Sequence, residues 1–221
     1  VEGLTGEKLA ELMVGRKVIF SVEKKAQEPG AVVLDVREVS AENNKGVRAL
    51  NKLSLDVREG EILGIAGVAG NGQSELAEVI TGMRGCEGSI LINGEDVSNQ
   101  EPSAAIARGV AHVPEDRTGV GSAPNMTITE NTIMKNYREK PIGNKWSINF
   151  TEARSHARGL KDAYDILAPN VRTMARKLSG GNLQKVILAR EITTNPKLMV
   201  AMQPTRGLDV GAIESIQRLL L

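Results

Sequence analysis

From Leu50 to Val57 apolar and polar positions alternate, with Leu53, Leu55 and Val57 set against Lys52, Ser54 and Asp56, a period that predicts a half-buried strand. A strand is predicted before it around Val32 to Val36, and the turn at Glu59-Gly60 leads into another, the apolar run Glu61 to Ala66. The period then becomes helical, with Leu76, Ala77, Val79 and Ile80 on one face of a helix that Ser74 opens. Short strands are expected within Gly88 to Gly94, at Val110 to Val113 and at Leu198 to Met202. Further helices are expected at Ser103 to Arg108, with Pro102 in the first turn and Gly109 as the stop, and from a Thr129 cap through Met134. Another should start at Thr151 with Ala157, Leu160, Ala163, Tyr164 and Leu167 on its apolar side, and another should run from Ser179 through Ile192. Ala212, Ile213, Ile216, Leu219 and Leu220 make a last apolar helical pattern, and Trp146, in the loop before Phe150, is expected to be a packing anchor rather than a base-stacking platform.

At the other end, Thr5 precedes a short helical pattern with Leu9, Leu12 and Met13 on one face, ending near Gly15. Ser21 to Gly30 is polar and closes on Pro29-Gly30, which reads as a linker before a new domain. Composition adds exclusions. With 41% apolar and 25% charged residues the chain can bury a core, and a net charge of +1 leaves no basic surplus to argue for nucleic acid. No apolar run approaches the roughly 18 residues that span a bilayer, so any membrane role is expected to come through a partner. Cys86 reads as a small residue near a turn and His112 and His156 as structural, which leaves no metal site built from Cys and His.

Candidate chemistry lies in two glycine-rich strings. Gly64 to Glu75 joins the predicted strand to its helix through Gly67, Gly70, Asn71 and Gly72, followed by Gln73, Ser74 and Glu75. Closely spaced glycines at such a junction let backbone N–H groups approach a polyphosphate, with the positive end of the helix behind them. The full phosphate-loop pattern also places a lysine on the β- and γ-phosphates and a hydroxyl on magnesium; here Gln73 stands at the lysine position, while Ser74 keeps the hydroxyl. The second string, Leu178 to Lys185, puts Ser179 at a helix cap and leaves the first N–H groups at Gly180 and Gly181 uncovered, a second anion-binding end.

In order and content these strings resemble the ATP-binding cassette family, and within it the ATPase subunits of bacterial importers for simple sugars or nucleosides, which carry two cassettes in one polypeptide. The resemblance runs from about Val32 to the end: LSGGNLQK looks like the signature motif, QPTRGLD like the end of the acidic strand and the D-loop with Leu208 and Asp209, and VPEDR like the Q-loop of the second cassette. MVGR at Met13 to Arg16 looks like the segment leading out of a first cassette. The implied fold is α/β, a P-loop NTPase cassette with a central mostly parallel sheet, an antiparallel β subdomain and a helical insertion over about 116–177. Residues 1–30 would be leader and linker and 31–221 a cassette, incomplete at its C-terminal end because Leu221 falls before the switch histidine.

Departures from the family pattern set the expected mechanism. Where an active cassette ends its strand in Asp-Glu, this chain has Met202 and Gln203; Glu115 stands at the Q-loop glutamine, and no aromatic residue lies near Asn43 to Val47, where an adenine would stack. The resemblance therefore implies a degenerate cassette that binds ATP weakly, with Mg weak or absent and Ser74 its one possible ligand, and that lends Ser179, Gly180 and Gly181 to a partner's ATP. Implied partners are the catalytic first cassette, a transmembrane permease and, indirectly, a solute-binding protein, with no nucleic acid, on the cytoplasmic side of the cell membrane as a peripheral subunit. The alternative is a soluble cassette-type regulator or clamp without a permease; a P-loop kinase would share only the first string.

Overall fold

The computed structural model describes residues 11–12 and 27–221, so the helix expected from Thr5 and most of the linker expected from Ser21 lie outside the described residues. The described chain divides into two units, 27–112 with 192–202, and 113–191 with 203–221.

In the first unit, β1 (Val32–Glu42) pairs antiparallel with β2 (Arg48–Arg58) on one edge and with β3 (Glu87–Ile92) on the other, and β3 pairs with β4 (Glu95–Asp96), giving the order β2-β1-β3-β4. Val36 and Val39 are both buried although an odd spacing should send them to opposite faces. The register shift between Val36 and Val39, with Glu38 at a φ of 46°, inserts the extra residue that returns Val39 to the core. Helix α1 (Gln73–Ile80) lays Leu76, Val79 and Ile80 into that core beside Val36, Ile90 and Ile92. Helix α2 (Pro102–Ala107) starts on its proline, and Gly109 at a φ of 81° ends it, as expected from the sequence. Strands β5 (Val110–Val113) and β6 (Leu198–Ala201) form a two-stranded sheet that adds Val110 and Leu198 to the core.

One expected strand is missing. Residues 61–66 form no strand, and their side chains are in water: Ile62 is 59% exposed and, just beyond, Val68 is 76% exposed. An apolar run signals a strand buried between neighbours, but a strand exists only through its ladder, and no described strand pairs with this one.

The second unit is helical. Thr127, not Thr129, caps α3 (Ile128–Thr132): its Oγ1 accepts from the Glu130 N–H at 3.2 Å while Glu130 Oε2 accepts from the Thr127 N–H at 2.7 Å. Thr129 lies inside the helix and donates its hydroxyl to the Val171 carbonyl at 3.0 Å. Helix α4 (Phe150–Ala163) is capped by Asn149 Oδ1, and its Leu160 joins Ile128, Ile166, Val186 and Ala189 in one core while Ala153 joins Ile133 and Ile142 in another. Leu167, expected on the apolar side, is exposed, because Asp165 at a φ of 48° turns the chain out of the helix before it. Trp146 is exposed too and is not a packing anchor. Helix α5 (Gly180–Ile192) is buried on nearly every side, and α6 (Val210–Leu220) is capped by Asp209, whose Oδ1 accepts from the Ala212 N–H at 2.9 Å.

Candidate functional site

Gly72 caps α1 at a φ of 97°, and a Cβ there would meet the Ala49 carbonyl at 2.6 Å, so the turn into the helix requires glycine. No side chain caps α1, which leaves its first N–H groups turned toward the loop, and Glu75 in the first turn partly offsets the positive helix end. The place over the loop is taken by its own side chain. Gln73 Nε2 donates to the Val68 carbonyl at 3.1 Å, and Gln73 Oε1 accepts from the Asn71 N–H at 3.2 Å. Any Cβ on Gly67 would run into the same Nε2. The amide thus does for the loop what a phosphate would do: it occupies a backbone donor. Gly70, at a φ of 90°, and Ser74 remain exposed.

The start of α5 is built differently. Ser179 Oγ accepts from Asn182 Nδ2 at 2.9 Å and from the Asn182 N–H at 3.4 Å, and Asn182 is itself fixed because its Oδ1 accepts from the Leu167 N–H at 2.7 Å. A hydroxyl oxygen that accepts twice has one polar function left, its proton. Ser179 and Gly180 are exposed, whereas Gly181 is buried where a Cβ would stand 3.0 Å from that of Ala212. The space of a Gly180 side chain is bounded by Arg117 Nη1 at 3.1 Å and Leu208 Cδ2 at 3.4 Å. The segments containing Glu115 and Leu208 thereby meet at this helix end. They are joined again by an ion pair between Glu115 and Arg206, with Arg206 largely exposed. Asp116 accepts from the N–H groups of Gly119 and Thr118, each at 2.9 Å, which hold its carboxyl below the usual range, Gly119 most.

Met202 and Gln203 carry no charge and follow the end of β6, Gln203 at a φ of 41°. Glu115 is committed to Arg206, and among the described residues no group of three His, Cys, Asp or Glu stands close enough to hold a metal. Cys86 is half-buried, and burial raises its thiol pKa, with Asp96 adding to the effect. Burial lowers the pKa of His156, whose Nε2 is enclosed without a hydrogen-bond partner. The sequence singles out the glycines, the serines and the Glu115 to Arg117 segment but not Asn182 or Arg206, although both lie inside the quoted motifs; their pairing with Ser179 and Glu115 is what consecutive residues do not display.

The family model described as ABC transporter matches residues 50–206. The chain is 49% identical over 216 residues to the glucose import ATP-binding protein TsgD13 of Haloferax volcanii, covering 96% of this chain and 39% of that protein. It is 44% identical to the nucleoside import ATP-binding protein NupA of Lactococcus lactis, covering 98% and 43%, and 45% identical to the guanosine import ATP-binding protein NupO of Bacillus subtilis, covering 97% and 42%. The chain thus spans about two-fifths of the length of these curated relatives. Among solved structures, a nucleotide-free ATP-binding cassette from an ABC transporter superposes with a TM-score of 0.69 at 25% identity, over 86% of this chain and 76% of that one. A dimeric bacterial ABC transporter cassette gives 0.71 at 24% identity, over 85% and 81%, which bears on the fold alone. With a matching family model over most of its length and two glycine-rich helix starts in the expected order, the chain belongs to the ABC transporter family.

Proposed function

We infer that this chain is the degenerate second cassette of an ATPase subunit that drives import of a simple sugar or nucleoside, and that its signature helix completes the ATP site of a catalytic first cassette in the same polypeptide. The observation that carries the reading is the contrast between the two glycine-rich ends. The Gln73 amide lies across the chain's own phosphate loop, while Ser179 has its lone pairs engaged by Asn182 and its proton left to give. Bound to the partner cassette, ATP supplies a γ-phosphate on which charge develops during hydrolysis. Ser179 and the N–H groups opening α5 donate to that charge, and the fixed Asn182 keeps the hydroxyl aimed without reorganisation. In its own loop this cassette holds nucleotide weakly and does not turn it over, because Met202 and Gln203 offer no base and no metal-holding carboxylate.

The import names of the relatives support the choice of sugar or nucleoside as the solute class. The same import names support a transmembrane permease as partner, a solute-binding protein upstream and a peripheral position on the cytoplasmic face; no helix among the described residues is long and apolar enough to cross a membrane. The segment around Glu115 to Arg117, packed at the start of α5, is suited to pass movement between permease and signature.

The test is Ser179→Arg in the intact two-cassette subunit. A bulky cation at the helix end should abolish hydrolysis even though the residue lies in the inactive half, while nucleotide still binds the first cassette. Ser179→Ala removes one donor and should be milder, with loss of a single oxyanion-type donor worth up to about a hundred- to a thousandfold. Full turnover by a well-folded Ser179→Arg subunit would sink the composite-site reading.

A further inference from the structure

The chain holds one tryptophan, two tyrosines and two phenylalanines, and three of these five side chains fall within residues 136–150. All three are in water: Tyr137 at 37%, Trp146 at 86% and Phe150 at 47% exposure. A lone exposed aromatic residue is unremarkable, but a concentration of most of a chain's aromatic side chains on one short exposed stretch is not.

The exposure does not come from a loose backbone. Asn144 Oδ1 accepts from the N–H of Trp146 at 2.8 Å and of Ser147 at 3.1 Å, and the Asn144 N–H donates back to the Ser147 carbonyl at 3.0 Å. The Asn149 N–H donates to the Ile142 carbonyl at 2.8 Å, and Gly143 bridges to Ile148. Gly143 also lies against the Tyr137 carbonyl so closely that no Cβ would fit, which ties Tyr137 to the same turn. The turn is fixed and holds the Trp146 ring out at its tip.

Charge identifies the partner. Lys145 Nζ lies 5.3 Å from the Trp146 ring centre and Arg138 Cζ lies 5.2 Å from that of Tyr137, so each ring is presented with a cation on it. With Lys140 the stretch has three basic residues against the single acid Glu139, all of them exposed, in a chain whose net charge is only +1. An amphipathic ring beside a long basic side chain is the pairing found at a membrane–water interface, where the ring sits at headgroup depth and the cation reaches a phosphate. A protein groove would favour aromatic anchors whose neighbours shed water, whereas here the cations on the rings keep theirs.

We propose that the turn carrying Trp146 is a membrane-surface contact that seats on anionic phospholipid, with Trp146, Tyr137 and Phe150 at headgroup depth and Arg138, Lys140 and Lys145 facing the phosphates. The contact is independent of whether this cassette or its partner hydrolyses ATP.

Because Trp146 is the sole tryptophan, its fluorescence reports the turn directly in the whole 221-residue chain. Vesicles of phosphatidylcholine mixed with phosphatidylglycerol should shift its emission to the blue and carry the protein down in sedimentation, and added salt should reverse both effects. Lys140→Gln and Lys145→Gln keep the reporter and should each weaken binding about fivefold. Trp146→Ala, followed by sedimentation, should weaken it about tenfold or more while the thermal melt stays unchanged, since the ring supports no part of the fold. An unshifted emission on anionic vesicles would overturn the proposal, as would equal binding to pure phosphatidylcholine. A shift seen only with membranes that contain a permease would also overturn it, assigning the turn to a protein partner.

Discussion

Helices α1 and α5 both begin in glycine-rich turns, yet they are held by opposite means. Helix α1 is short, rests on four apolar side chains, Leu76, Ala77, Val79 and Ile80, and has its loop bridged by its own Gln73. Helix α5 buries ten of its residues, including Lys185, Arg190 and Glu191, and its opening turn is held by residues distant in sequence: Arg117, Leu167, Leu208 and Ala212. The first arrangement can be altered by changing one side chain. The second is fixed from both ends, which suits a group that must already be in position when a ligand arrives from elsewhere.

The far end of α5 offers the largest way to break this contrast. Glu191 is fully buried, with Lys135 Nζ at 2.5 Å from Oε2 and Arg190 Nε at 2.9 Å from Oε1. Glu191→Ala leaves these cations without that counter-charge and should cost about 3–5 kcal/mol in a urea unfolding curve. Next comes the loop. Gln73→Lys restores a cation to the cradle and should tighten ATP binding about tenfold or more by calorimetry, on the scale of about 1.5–3 kcal/mol for a charged hydrogen bond. It should release no phosphate, since Met202 and Gln203 are unchanged; turnover would place the missing carboxylates elsewhere.

Smaller effects separate the two signature glycines. Gly181→Ala pushes a methyl against Ala212 at 3.0 Å, both on packed helices, and should cost about 1–3 kcal/mol. Gly180→Ala meets only the tip of the long Arg117 side chain at 3.1 Å, which can give by a few tenths of an ångström without moving backbone, and should stay within about 0.5 kcal/mol. The smallest effect is on pH. The Asp116 carboxyl, depressed by the Gly119 and Thr118 N–H groups, stabilises its turn above the ordinary aspartate pKa. That contribution disappears as pH falls through the depressed value, so amide exchange at Thr118 and Gly119 should rise only in acid, and Asp116→Asn should flatten the profile.

Much of the candidate site is legible because its features are local: glycines before a helix, Gln73 directly after them and the uncharged Met202-Gln203 after β6 can each be read from consecutive residues. The cap of α3 was legible too, since only Thr127 has an acid three residues later, but a second threonine two positions on drew the assignment away. The β1 register was not, because the shift after Val36 that buries both Val36 and Val39 depends on two partner strands at once. Nor were the Glu115–Arg206 and Lys135–Glu191 pairs, whose members are far apart in the chain and carry charges that look like ordinary solvated surface.

The apolar run at 61–68 has a practical consequence. Ile62, Leu63, Ile65 and Val68 hold apolar side chains in water on a nearly uncharged segment that no described strand pairs with, and exposed apolar surface of this kind draws separate molecules together. Handled alone and concentrated, the chain should scatter light in a concentration-dependent way, and Ile65→Lys should raise its solubility ceiling more than any exchange on the charged surface of β2.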